Sequence, residues 1–335
     1  MAEILEGLDP VELTNFARLE ANDFDAQSQS LARWFPYQAV NDIRYAYSRG
    51  VDVLLDEAQF RSFDAESPLG RRPGASRVTG ELQPISRKIP LSEYAQLRIR
   101  NASNDEINDQ VFNDAARLAR GIAARFERAR GELLRTGNLV INENGVVQTY
   151  SSGRHASLTV GAVSPLWSAH STATPIQDIL DWMELIRAQS GVTGNRLLVS
   201  RSVMSHLQQI DEVRGAFMPA GQVPNRITTD AVGAAFVQLA GVTVEVLEPP
   251  AGMTTPPIPA NTVILLQDGV PLGTTTYGIP VEATLPEYQG LAPQPGVLAG
   301  GWKDRDPVTA WTHAVAIGLP LLGAPNLTLS ATVLA

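Results

Sequence analysis

The sequence predicts an α+β chain organised around one long helix. Three observations carry that reading: an apolar stripe at helical spacing from Ser103 to Gly137, alternating helical and strand-like segments from about residue 161, and extended apolar runs near the C-terminal end. In the first of these, Ile107, Val111, Ala115, Leu118, Ile122, Phe126, Ala129 and Leu133 recur at steps of three and four, which sets them along one side of a helix. Ser103 with Glu106 has the spacing of a capping box, in which the hydroxyl and the carboxylate satisfy early orphan N–H groups. Gly137 is a left-handed stop after Arg135, a cation suited to the last turn. At about 1.5 Å per residue the helix would run roughly 50 Å. Its stripe is narrow, with alanine in the middle and Arg117, Arg120, Arg125 and Arg128 on the flanks. That predicts a spine with a sheet on one side and solvent or another subunit on the other. Gly121 and Gly131 each cost about 1 kcal/mol against alanine inside a helix, so each calls for a bend or a close contact.

The elements before the spine follow from local chemistry. Asp9-Pro10-Val11-Glu12 starts a helix, with Asp9 as cap, Pro10 in the first helical position and Glu12 in the third, running to about Ala21. Residues 22–50 show no sustained period but cluster Trp34, Phe35, Tyr37, Tyr45 and Tyr47, the pattern of an arm held by aromatic anchors on some other surface. Residues 51–92 alternate weakly on both sides of Pro68–Ala75, a tip rich in proline, glycine and arginine. They read as two long strands joined by a flexible turn. A two-stranded ribbon is marginal alone, so it should lie on a neighbouring subunit.

After the spine, Asn144-Gly145 within LVINENGVVQTY marks a tight hairpin. Thr174 and Pro175 open an amphipathic helix, and NRLLVS reads as a buried strand. SVMSHLQQI and TTDAVGAAFVQLAG are helices, and VTVEVLE and NTVILLQ are strands separated by a proline-rich link. The closing stretch from Trp311 reads as strand, proline break, strand.

Composition narrows the classes. A length of 335 residues suits two domains, or one with large insertions. The absence of cysteine excludes disulfides, thiolate metal sites and cysteine nucleophiles, and fits a reducing cytoplasm. A net charge of −9 argues against sequence-independent DNA binding by the whole surface. No apolar run reaches the roughly eighteen residues of a membrane span, and the acidic, amphipathic N-terminus is not a signal peptide. Lysine occurs only at Lys88 and Lys303, arginine supplying the other positive charges.

No catalytic motif is present: neither a phosphate-cradling loop, a nucleophile elbow, nor paired metal ligands. His155, His170, His206 and His313 stand singly, and His206 beside Met204 and Leu207 reads as a packing residue. Asp304 and Asp306 form a D-x-D pair whose position before Pro307 reads as a turn rather than a metal site. Arg71, Arg72 and Arg77, with Arg87 and Lys88, lack interleaved aromatics and read as a solvated or subunit-bridging loop rather than a nucleic-acid site. A crosslink from Lys88 lacks an identifiable carboxylate trigger. The sequence thus predicts a protein with no active site, no metal and no cofactor.

The order of elements resembles the major capsid proteins of lambda-type tailed phages, the E family of coat proteins. The residues that carry the resemblance are Trp302-Lys303-Asp304-Arg305-Asp306-Pro307 with the strands that follow, and Asn261-Thr262-Val263-Ile264-Leu265 followed by Gly273 and Thr276-Tyr277-Gly278. It covers the whole chain in element order and is residue-level over the last eighty or so. It implies the Hong Kong 97-type capsid fold: an N-terminal arm at 1–50, an extended β-hairpin loop at 51–92, a peripheral domain with the spine at 93–160 and 297–335, and an axial α/β domain at 161–296. It further implies a coat subunit forming hexamers and pentamers of an icosahedral head around double-stranded DNA, without sequence-specific DNA binding or a membrane. A separate scaffolding protein and a portal would be partners, a decoration protein a further one, with assembly in the host cytoplasm. An encapsulin-like nanocompartment is the alternative within that fold, and an α/β enzyme the alternative from another class. Arg71 and Arg72 are the expected inter-subunit contacts.

Overall fold

Two β-sheets are sewn together by the last stretch of the chain. The computed structural model describes residues 9–49, 60–61, 66, 76–98, 104–216, 224–288 and 294–335. In chain order the first elements are α1 (Pro10–Asp25), β1 (Tyr37–Ala39), β2 (Arg44–Arg49), β3 (Ser76–Glu81), β4 (Gln83–Leu91) and α2 (Glu93–Arg98). The spine α3 (Asn104–Thr136) follows, then β5 (Asn138–Glu143), β6 (Val146–Ser151) and β7 (Thr159–Ala162). The middle of the chain holds α4 (Pro175–Ser190), β8 (Arg196–Val199), α5 (Arg201–Leu207), α6 (Asp211–Gly215), α7 (Thr229–Ala240), β9 (Thr243–Val246) and β10 (Thr262–Leu266). Last come β11 (Gly273–Gly278), β12 (Leu298–Arg305), β13 (Val308–Leu322) and β14 (Thr328–Thr332).

In the first sheet β13 is the central strand. β4 runs along one of its edges, while β12 and then β11 follow each other along the opposite edge, and parallel β1 closes the sheet beyond β11. The second sheet has the order β7-β14-β10-β8-β9. Because β13 belongs to one sheet and β14 to the other, the turn at Gly323–Pro325 joins the two. Ala314 and Ala316 of β13 face α3, and small side chains there let helix and sheet approach closely. A separate core forms around Trp167, Ile179, Ile186, Leu197, Phe236 and Leu265, between the second sheet and its helices.

Most local expectations hold. Asp9 caps α1 by accepting from the Val11 N–H at 2.9 Å, and the helix continues past Ala21 to Asp25. The spine ends at Gly137 with φ 73°, and Asn144-Gly145 takes positive φ at both residues of its turn. Ser103, and with it the expected capping box, lies outside the described residues. Val111, Leu118, Ile122, Phe126 and Leu133 are buried, as the periodicity requires. Gly131 is explained by a close contact, since a Cβ there would lie 2.2 Å from the Pro257 carbonyl oxygen. Gly121 faces open space, and nothing within the subunit explains it.

Four points differ. The spine is not thin along its whole length: its C-terminal half also buries Glu127 and Arg130, because the chain at 30–35 and β11 cover the flank next to the apolar stripe. The arm's aromatics anchor in their own subunit, Trp34 at 2 % and Phe35 at 1 % exposure, beside Leu272 and Leu322. β3 pairs with β2, residues 44–49, and β4 belongs to the first sheet; the strand expected after residue 51 lies outside the described residues. Alternation alone names strands but not their partners. Finally, Thr174 occupies the cap position of α4 but its side chain makes no capping bond. The carboxylate of Glu212 accepts from the Ile176 N–H at 2.8 Å and does that work from α6.

Candidate subunit-contact site

The β12–β13 hairpin builds the most distinctive exposed surface. Asp306 and Pro307 form its two-residue turn through a cis peptide bond, leaving Arg305 opposite Val308 and Trp302 opposite Trp311. The hairpin alternates by strand geometry: Ala310, Thr312, Ala314 and Ala316 turn toward the spine, and Trp311 and His313 turn outward. The two indoles stack with centroids 6.3 Å apart. Lys88, opposite His313 on β4, places Nζ 4.0 Å from the Trp311 ring and 5.4 Å from the Trp302 ring. Such ammonium–indole contacts are worth about 0.5–1 kcal/mol at exposed sites. Trp311 Nε1 donates to Asp304 at 2.8 Å, which fixes the ring and gives the first carboxylate of the D-x-D pair a structural task. Trp302 remains 39 % exposed. His313 meets Trp302 edge-on at 5.6 Å, and burial, with a smaller contribution from Lys88, pulls its pKa down.

Beside this tip, α2 is held by Gln96, which donates to the Leu91 and Val308 carbonyls, and by Glu93, which accepts from the Val308 N–H. Tyr94 and Leu97 are left facing outward. Exposed Trp302, Tyr94, Leu97 and Val308 therefore stand near one end of the first sheet, where a folded monomer gains nothing from them.

At the other end of β13, the spine is held by buried charge. Arg130 is 1 % exposed and bonds Asp25 through both terminal nitrogens, Glu127 at 3.1 Å and the Thr275 hydroxyl at 3.1 Å. Burial alone would lower its pKa, but Asp25 and Glu127 outweigh that and hold it charged. Glu127 also accepts from Ser30 and the Leu31 N–H; burial pushes its pKa up, with Arg130 pulling the other way. At the spine's far end Arg154 donates to the Leu134 and Arg135 carbonyls and to Thr159 and Ser330. It thereby satisfies carbonyls that a helix end leaves orphaned. Burial lowers its pKa to about 10.

Arg71 and Arg72 lie outside the described residues, as does the tip from Pro68 to Ala75. His206, read as a packing residue, accepts or donates a 2.8 Å hydrogen bond with His170. Among the described residues no three histidines, aspartates or glutamates stand together as a metal group, and no helix is long and apolar enough to cross a membrane. The Trp302–Trp311 pair was legible but unread: the two tryptophans stand at equal distances from the Asp306-Pro307 turn, so a two-residue hairpin sets them opposite. The partnership of Asp25 and Arg130, 105 residues apart, has no local signal.

This architecture recurs in solved structures. A putative prophage capsid protein from Escherichia coli CFT073 matches with TM-score 0.61 at 15 % identity, covering 96 % of this chain and 99 % of that one. A phage-related protein from Bordetella bronchiseptica RB50 matches with TM-score 0.59 at 13 % identity, over 95 % and 96 % of the two chains. The capsid of a native GTA particle gives TM-score 0.51 at 14 % identity, over 92 % and 91 %. No curated protein matches in sequence. The fold is the Hong Kong 97-type capsid fold, mixing the helices and sheets expected from the sequence. The profile described as phage major capsid protein E matches residues 55–333, and the chain belongs to that family, as a phage capsid shell protein.

Proposed function

We propose that the subunit assembles through hexamers and pentamers into the icosahedral head of a tailed phage, enclosing double-stranded DNA without reading its sequence. The single observation that carries this is the exposed aromatic end of the first sheet, Trp302 with Tyr94 and Leu97, in a chain of the capsid family. Its role is structural, not catalytic. Residues 1–50 serve as arm, 51–92 as extended loop, 93–160 and 297–335 as peripheral domain, and 161–296 as axial domain. A separate scaffolding protein and a portal act with it, a decoration protein is a further candidate partner, and assembly takes place in the host cytoplasm.

The loop tip is assigned to inter-subunit bonding. Arg71 and Arg72 make bidentate bonds to carboxylates of an adjacent subunit, a geometry guanidinium favours. Electron microscopy and sedimentation of the protein co-expressed with its scaffold test the reading: closed particles are expected, and monomer alone at micromolar concentration refutes it. Replacing Arg71 and Arg72 together by alanine should leave the melting temperature of the subunit unchanged and lower particle yield. Normal yield with normal particle stability removes the tip from the interface.

A further inference from the structure

Along the outward side of α3, opposite the buried stripe, two adjoining hollows of about 560 and 500 Å³ meet over Gly121 and Ala124. One wall is the end of α1 at Asp23 with Gln27 just beyond it, the other is β4 at Arg87, and the chain at 251–255 crosses between them. Arg117, Arg120, Arg125 and Arg128 punctuate the floor at helical spacing. Two of these already hold carboxylates from the same chain: Arg120 pairs with Glu20 at 2.5 Å and Arg125 with Glu143 at 3.1 Å. Arg87 and Arg128 form no ion pair among the described residues, and Arg117 only lies in the field of Asp114. Between the paired and unpaired guanidinium groups sits Gly121, whose absent Cβ would meet nothing within 4 Å. A glycine that costs helix stability and fills no contact inside the subunit leaves room for a backbone from outside.

We propose that this trough receives an acidic segment of a second copy of the chain, its backbone lying over Gly121 and its carboxylates on Arg117, Arg128 and Arg87. The inference rests on the reading that copies of this chain assemble. The chemistry is that already seen at Arg120 and Arg125, carboxylate on guanidinium. A second copy supplies it in surplus, with 35 acidic residues against 26 basic ones. Packaged DNA fits less well: Asp23 and Glu143 on the rim act on any anion alike, but the open Gly121 floor suits a closely packed peptide backbone rather than a wider phosphate strand.

The test compares parent, Gly121→Leu and the double variant Arg117→Gln/Arg128→Gln, scoring subunit melting temperature, small oligomers by sedimentation equilibrium and particles by sedimentation velocity. Gly121→Leu should melt at or above the parent temperature, since leucine favours helix over glycine. Its self-association should nonetheless fall roughly tenfold, the effect of losing about 1.4 kcal/mol per contact. The arginine variant should weaken association similarly and lose part of its sensitivity to salt. Parent-like association in both variants overturns the proposal. So do particles formed at parent yield that fail only to retain DNA, which would assign the trough to nucleic acid. A parent that does not self-associate refutes the assembly reading itself, which separates the two failures.

Discussion

The guanidinium of Arg130 forks onto both carboxylate oxygens of Asp25, at 2.7 and 3.0 Å, and fastens the last turn of α1 to the spine. Asp25 retains 25 % side-chain exposure, so its loss sits at the low end of the range for breaking a buried pair. Asp25→Ala is expected to cost the subunit about 3 kcal/mol, read as a shift of its urea midpoint. Asp25→Asn, which keeps hydrogen-bonding capacity, should cost less. An unchanged midpoint for Asp25→Ala would show that Glu127 alone suffices to hold Arg130.

Phe126 lies under the first sheet, 4 % exposed and edge-on to Tyr277 at 5.2 Å. Phe126→Ala should therefore destabilise by roughly 3–5 kcal/mol. Arg120→Ala, which removes a pair whose arginine is 58 % exposed, should change subunit stability by less than about 1 kcal/mol. Thermal denaturation of dissociated subunits ranks the two.

Gly131→Ala should destabilise by about 1–3 kcal/mol despite the better helix former, because the new methyl would meet the backbone of Pro257. The measurement is again the urea midpoint. A stabilised variant would mean that the 256–259 segment yields without cost.

At the start of α4 the cap is supplied from elsewhere in the chain. Glu212→Ala should cost about 1–2 kcal/mol by orphaning the Ile176 N–H, whereas Thr174→Ala should cost little. Equal effects of the two substitutions would contradict the division of labour.

Burial, with His170 as the smaller contribution, depresses the His206 pKa below its ordinary 6.5. A base with a depressed folded pKa binds its proton more weakly in the fold than in the unfolded chain. Its contribution to stability is complete above 6.5 and declines as pH falls below it. Subunit melting temperature should drop as pH falls below 6.5, and His206→Gln should flatten that limb. Glu212 and Asp178, whose pKa values burial raises, act in the opposite direction at lower pH.

Local sequence was enough for the spine, its stop at Gly137, the start of α1 at Asp9, the Asn144-Gly145 hairpin and the two last strands on either side of the proline break. Each rests on contacts between residues close in the chain, where spacing and cap chemistry act directly. The resemblance carried by Trp302–Pro307 and Thr276–Gly278 led to the family. Strand pairing and the cover over the spine came instead from contacts distant in the chain. The pairing of β2 with β3, the seat of Trp34 and Phe35, the Glu127–Arg130–Asp25 lock and the Glu212 cap all join segments far apart in sequence. Strand alternation gives a face but no partner, and a buried charge looks like any surface charge until its counter-ion is brought to it by the fold.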